Sequence, residues 1–153
     1  MAMAGSLDIS TTEALITRIL RIAEDQKPLW GKMTAQEMVT HCSTAVKLAF
    51  GDIPAKPRVG PIQATLARWL FVDLFPFPKN SPTAPELDPA KKLAVSGAYD
   101  AARQELVSQL RRLQKAPADH VFAKHPLFLQ MSRHQWGKLM QKHMDHHLRQ
   151  FGV

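Results

Sequence analysis

At 153 residues, 45% of them hydrophobic and 22% charged, the chain has the length of one domain and the composition of a folded globular protein, which excludes wholesale disorder and fibrous architectures. A formal net charge of +7 admits an anionic partner, nucleic acid included. The lone Cys42 cannot form an intrachain disulfide, and the longest apolar stretch, 66–77, is interrupted by Arg68, Asp73 and Pro76, so a cytoplasmic protein without a membrane span is expected.

Residues 1–9 carry neither a secretion signal nor a helical pattern and read as a flexible tail ahead of a single domain over 10–153. Three capping boxes then announce helix starts: Ser10 with Glu13, Thr34 with Glu37, and Ser132 with Gln135. The first long helix is predicted from Thr11 to about Asp25 on the stripe Leu15, Ile19 and Ile22. The second runs from Thr34 to about Phe50, where Gly51 ends it, with Met38, His41, Ala45 and Leu48 on one face. Eight of the eleven prolines lie between Pro54 and Pro89, so this stretch must be mostly a crossover connection. Within it, 61–74 suits a short or irregular helix carrying Leu66, Trp69, Leu70 and Phe71, and 75–89 a loop that serves as a surface crossover or a lid. Helicity resumes near Tyr99 with Ala102, Leu106, Leu110 and Leu113. The last helix opens at Ser132 and runs to the chain end on Trp136, Met140, His143, His147 and Phe151. With no repeat, phosphate loop or alternating strand pattern, the fold class is all-α, a four-helix bundle with a long proline-rich crossover between helices two and three.

His41, His143 and His147 all fall on faces expected to be buried. The i, i+4 spacing of His143 and His147 stacks two imidazoles one above the other, the arrangement of helical metal sites, and His41 on a facing helix is the natural third ligand. Three nitrogens would leave metal positions open, as in catalytic rather than structural sites. The competing reading is three partly buried histidines bonded to carbonyls or to one another and binding nothing. That arrangement must find partners for six ring nitrogens.

The segment His143-Met-Asp-His-His147-Leu-Arg-Gln150 at the end of a last helix resembles the DinB-like (DinB/YfiT) superfamily of metal-binding four-helix proteins, which includes YfiT-type hydrolases and bacillithiol and mycothiol S-transferases. Trp30-Gly-Lys-Met33-Thr34 ahead of His41, and His125-Pro-Leu-Phe128 followed by Trp136, look most like an uncharacterised branch of it. The resemblance implies a divalent metal (zinc, nickel or iron) on His41, His143 and His147. It further implies a metal-dependent enzyme, a hydrolase or low-molecular-weight thiol S-transferase, acting on a small molecule. An anionic thiol would suit the basic surface.

His146 can replace His147 as a ligand or support it, while Asp145 and Gln150 can orient an imidazole but are expected to be solvated. Glu37, a turn before His41, is a weak candidate general base whose capping role explains it more simply. Cys42 is read as a packed small residue. Trp30, Trp69 and Trp136 are expected in the core, with Trp69 and Phe71 able to line a pocket. His120, His125 and His134 share no face, and solvated or capping roles suffice for them. Arg111, Arg112, Lys115, Lys138, Lys142 and Arg149 make a candidate phosphate-binding face, but they lack interleaved aromatics and a recognition-helix motif, so nucleic acid is disfavoured. The alternative functions are a non-catalytic metal-binding or interaction protein and a nucleic-acid-binding helical domain. A homodimer is compatible with all of these.

Overall fold

The computed structural model describes residues 8–81, 83–88 and 98–153. Its elements are α1 (Ile9–Leu20), α2 (Ala35–Ala49), α3 (Pro61–Ala67), a π-helical segment (Arg68–Leu74) that continues α3, a 3-10 turn (Pro85–Leu87), α4 (Tyr99–Lys115) and α5 (Arg133–Gln150). The protein is all-α: among the described residues the sole β feature is an isolated bridge between His125 and Leu129. No helix among them is long and apolar enough to cross a membrane.

Helix starts follow side-chain chemistry. Both the Thr34–Glu37 and Ser132–Gln135 boxes form in full, each satisfying the first free backbone donors of its helix reciprocally. The third expected box does not form. Asp8 caps α1 instead, its carboxylate accepting from the Thr11 N–H at 2.6 Å, because an ionised oxygen two residues earlier is a stronger acceptor than the Ser10 hydroxyl. The expected tail over 1–9 otherwise lies outside the described residues, as does the Pro89 end of the loop.

The C-terminal end of α1 also departs from expectation, stopping at Leu20 rather than near Asp25. The backbone tightens there, with the Ile22 N–H donating to Ile19, and the released carbonyls of Leu20 and Ile22 are taken by α4. Arg103 donates to both carbonyls, and the Tyr99 hydroxyl donates to Ile22 at 2.9 Å. Side chains from a second helix thus replace the last turn.

α4 packs on α1 and α2, and α5 packs on the same two helices. Ile19, Ile22, Met38, Val46, Leu106, Leu110, Trp136 and Leu148 are all under 2% exposed. Full burial of each such side chain is worth about 1.5–3 kcal/mol, against about 1 kcal/mol for a cap, so the caps set where helices begin and the stripes set how they pack.

The α3–π segment lies against α5 and is fastened by charge. Lys142 Nζ donates to the carbonyls of Phe71 (3.2 Å), Val72 (2.9 Å) and Phe75 (2.9 Å), and Lys138 pairs with Asp73. Widening to π geometry frees these carbonyls for a cation from the neighbouring helix. At its other side Arg68 donates to the carbonyls of Phe128 (3.1 Å) and Gln130 (2.6 Å), tying the segment to the loop before α5.

Candidate metal centre

α2 and α5 bring His41, His143 and His147 together. Their ring centroids form a triangle 4.8 Å on every side, with the rings edge to face. His143 Nε2 lies 2.8 Å from His41 Nε2 and 3.1 Å from His147 Nε2.

The outer edges of two rings decide what the inner edges present. His41 Nδ1 is 2.7 Å from the Leu87 carbonyl, which can only accept, so Nδ1 carries the proton and Nε2 a lone pair. His147 Nδ1 is 2.7 Å from Gln150 Oε1. The Gln150 amide is itself oriented, because its Nε2 donates to the Trp30 carbonyl at 2.9 Å, which leaves its oxygen for His147. His147 therefore also turns a lone pair inward. Two fixed lone pairs converge on a third imidazole nitrogen, and a neutral His143 has at most one proton there to share between them.

Burial holds all three rings neutral. It lowers the His41 pKa against the opposing effect of the Leu87 bond, pushes His143 well below the usual range with further depression by His41 and His147, and takes His147 down to about 3. A cluster of neutral imidazoles with lone pairs aimed at one point is the donor set of a divalent cation. A tetrahedral ion with bonds of about 2.1 Å spaces its nitrogens about 3.4 Å apart. The His41–His143 spacing must open by about 0.6 Å and the His143–His147 spacing by about 0.3 Å, and all three nitrogens lie within 4.8 Å of one another, so the residues fit the group. The carbonyl behind His41 and the amide behind His147 are the outer partners that metal-ligating histidines require.

Beside the trio opens a cavity of about 1100 Å³, walled by apolar residues such as Leu48, Phe77, Leu127 and Met140, with Lys32 and Lys79 exposed on its lining. Trp30 stands over it with the Lys79 ammonium 4.5 Å from its ring and His146 edge-on at 5.8 Å.

A family model matches residues 1–152 of the chain. The chain belongs to DUF1569, described as a protein of unknown function. No curated protein and no solved structure matches it.

Other sequence-predicted residues of this DUF1569 chain take different places. Gln150, expected to be solvated, is 5% exposed and orients His147, because the backbone after α1 folds over the end of α5 and closes it off: the Leu29 N–H donates to the Gln150 carbonyl. Asp145 does not reach an imidazole and pairs with Arg18 and Arg149. His146 is half-buried against Trp30 and Phe77, outside the trio. Glu37 lines the cavity, but its Oε2 accepts from the Thr34 N–H at 2.8 Å in the helix cap. Cys42 is fully packed against Met38, and burial pushes its thiol pKa up, as expected for a core residue.

Of the tryptophans, Trp136 is in the core, whereas Trp30 is half-buried on the cavity lining and Trp69 is 54% exposed, because the α3–π segment turns only part of its surface toward α5. Phe71 reaches the large cavity, and Trp69 lines a smaller surface pocket with Ile62 and Leu66. His125 is not solvated: it is buried in the loop before α5 and accepts from two backbone N–H groups. The basic side chains are largely engaged, Arg111 with Glu13, Arg112 with Asp52, Lys138 with Asp73, and Lys142 with carbonyls.

Leu87, Gly31 and His125 were missed by sequence reasoning. A backbone carbonyl leaves no mark in a sequence, and His125 lies on no helix face. Gly31 sits at φ +81°, and a Cβ there would stand 2.7 Å from Gln150 Nε2, so the glycine clears the space in which Gln150 is seated.

Proposed function

We propose that the protein is a metal-dependent enzyme of DinB-like four-helix-bundle architecture, in which His41, His143 and His147 hold one divalent ion, zinc, nickel or iron, beside a small-molecule cavity. The observation that carries this reading is the convergence of two lone pairs, each fixed by a hydrogen bond on the far side of its ring, on the third imidazole. Bound there, the ion supplies Lewis acidity that lowers the pKa of a small nucleophile, water for hydrolysis or a low-molecular-weight thiol for S-transfer.

The chain's own residues do the rest. Leu87 and Gln150 hold two rings in register, so little reorganisation is required for binding. The apolar walls exclude water from around a bound substrate, and Lys32 and Lys79 favour an anionic one. Support for a catalytic over a purely structural metal comes from the cavity itself, since a structural site is normally closed by a fourth protein ligand, and among the described residues three side chains make up the cluster. The ion pairs that engage Arg111, Arg112 and Lys138 weigh against a phosphate-binding face.

The test is metal content per chain, by plasma mass spectrometry on protein purified without a histidine tag, beside His41→Ala and His143→Ala. Close to one ion per chain, lost in both variants, is expected, after which ester hydrolysis and thiol consumption are screened on the loaded protein. No metal in the parent protein even after reconstitution would sink the reading.

A further inference from the structure

The loop before α5 makes a tight turn at the cavity wall. His125 and Leu129 exchange backbone hydrogen bonds of 2.9 Å in both directions, and Leu129 takes the left-handed conformation (φ 54°) that closes the turn. Arg68 clamps the same turn from outside through the Phe128 carbonyl. Inside it, His125 Nδ1 accepts from the N–H groups of Leu127 (3.1 Å) and Phe128 (3.3 Å). A ring nitrogen that accepts carries no proton, so the neutral ring has its proton on Nε2. Burial lowers the His125 pKa to about 4, which keeps the ring neutral near pH 7. The ring is stacked on Phe128 at 4.5 Å and set edge-on to Trp136 at 5.6 Å, so its plane is fixed.

His125 lines the same cavity as the histidine trio and is near enough for a charge on it to be felt at His143. Its Nδ1 edge is spent on the turn. The Nε2–H edge is left to the cavity, and no described residue accepts from it. A donor fixed in tautomer and orientation, in a mostly apolar wall, is a recognition element for an acceptor that arrives with the ligand. The character of that acceptor follows from the other polar groups on the lining. Lys32 and Lys79 are donors, Glu37 turns a carboxylate oxygen to the Thr34 N–H, and Asp88 stands near His41; the carboxylate whose charge reaches His125, Glu86, is paired with Arg58 at 2.6 Å.

We propose that His125 is a substrate-binding residue, its Nε2–H donating to the carboxylate of an organic acid whose apolar body fills the cavity beside His41, His143 and His147. The proposal rests on the reading of this cavity as the substrate site, and it does not require the metal.

Two substitutions separate the ring's two edges. In His125→Asn the side-chain oxygen falls where Nδ1 was and keeps the turn, but no donor reaches the Nε2 position. In His125→Gln the amide N–H reaches that position while the turn loses its acceptor. Octanoate is the probe, titrated into the full chain by calorimetry, with octylamine as the charge-reversed control and zinc, nickel and iron content measured on the same samples before and after reconstitution. The expected result is octanoate binding to the parent protein, about tenfold weaker in His125→Asn and largely retained in His125→Gln, the factor of one hydrogen bond to a charged group. Octylamine should bind at least about tenfold more weakly than octanoate to the parent protein, on the same grounds. Long-range ¹H–¹⁵N spectra should place the His125 proton on Nε2.

Octanoate affinities equal in all three proteins, absence of octanoate binding to the parent protein, octylamine binding as well as octanoate, or a proton on Nδ1 each overturn the proposal. Metal content separates it from the metal reading. A parent protein that holds no zinc, nickel or iron even after reconstitution, yet shows the expected octanoate pattern, sinks the metal and leaves His125 in its role, and a loaded protein with a flat octanoate pattern does the reverse.

Discussion

Gln150 works in two directions at once: its amide nitrogen is pinned by the Trp30 carbonyl and its oxygen fixes the proton of His147. Remove the amide and His147 is free to rotate or to take the other tautomer, which turns an N–H instead of a lone pair toward His143. Gln150→Leu is therefore expected to weaken metal affinity about 10- to 100-fold, the usual effect of losing an outer partner of a metal-ligating histidine. Competition with a chromophoric chelator measures this, and unchanged affinity would show that the ring is positioned by packing alone. Gly31→Ala should reproduce the defect by another route, because the added Cβ meets Gln150 Nε2 at 2.7 Å and the residue is held at φ +81°. The left-handed conformation adds a stability cost of about 1–2 kcal/mol that Gln150→Leu does not share in that form. Urea midpoints of the two variants, set beside their chelator curves, separate the strain from the lost orientation.

Among the elements, the α3–π segment depends most on one partner. Two of its carbonyls, and that of Phe75 just after it, converge on Lys142, whose own pKa is lowered by burial first and by the nearby Lys138 second. Lys142→Met keeps the apolar stem and removes the donors, and with hydrogen bonds from a charged group worth about 1.5–3 kcal/mol in total or more, local opening of the segment should become at least about tenfold more frequent. Chymotrypsin cleavage after Trp69 and Phe71 reports that opening, while the urea midpoint of the whole chain should move little. A large global loss instead would mean the segment folds as one unit with α5. This dependence also explains what the sequence could and could not reveal. α2 and α5 are legible because Thr34–Glu37 and Ser132–Gln135 place their caps at a fixed local offset. α1 is less so, because Asp8 and Ser10 compete for its start and Tyr99 and Arg103, remote in sequence, decide its end. The 61–74 stretch reads as irregular helix, but its π geometry is set by lysines about seventy residues away. The trio of histidines is visible from an i, i+4 pair and one apolar stripe, whereas the Leu87 carbonyl behind His41 has no side chain to read.

At the scale of the whole molecule, the fold holds five imidazoles below their ordinary pKa in or beside its core, and this couples stability to pH. His41, His143, His146, His125 (about 4) and His147 (about 3) all have folded-state pKa values below the ordinary value near 6.5. The unfolded chain therefore binds more protons than the folded one once pH drops below about 6.5, and unfolding becomes easier as pH falls from there toward the folded values. Each group that stays neutral contributes a loss of up to about 1.4 kcal/mol per pH unit in this window. Carboxylates with lowered pKa values, Asp52 held down by Arg112 and Glu105 by Lys47, lose their contribution only as pH falls below the unfolded values near 4. The interval from pH 6.5 to 4.5 thus isolates the histidines. Metal-free protein should lose several kcal/mol of unfolding free energy across it, and His125→Asn should lose about 1.4 kcal/mol per unit less than its parent because one of the five groups is gone. Urea titrations at half-unit steps measure both slopes. Equal slopes would mean that His125 is protonated in the folded chain over this range, which would contradict the Nε2–H tautomer that its turn imposes. A divalent ion at the trio should shift the steep region to lower pH, because protons must then displace the cation before the rings can charge.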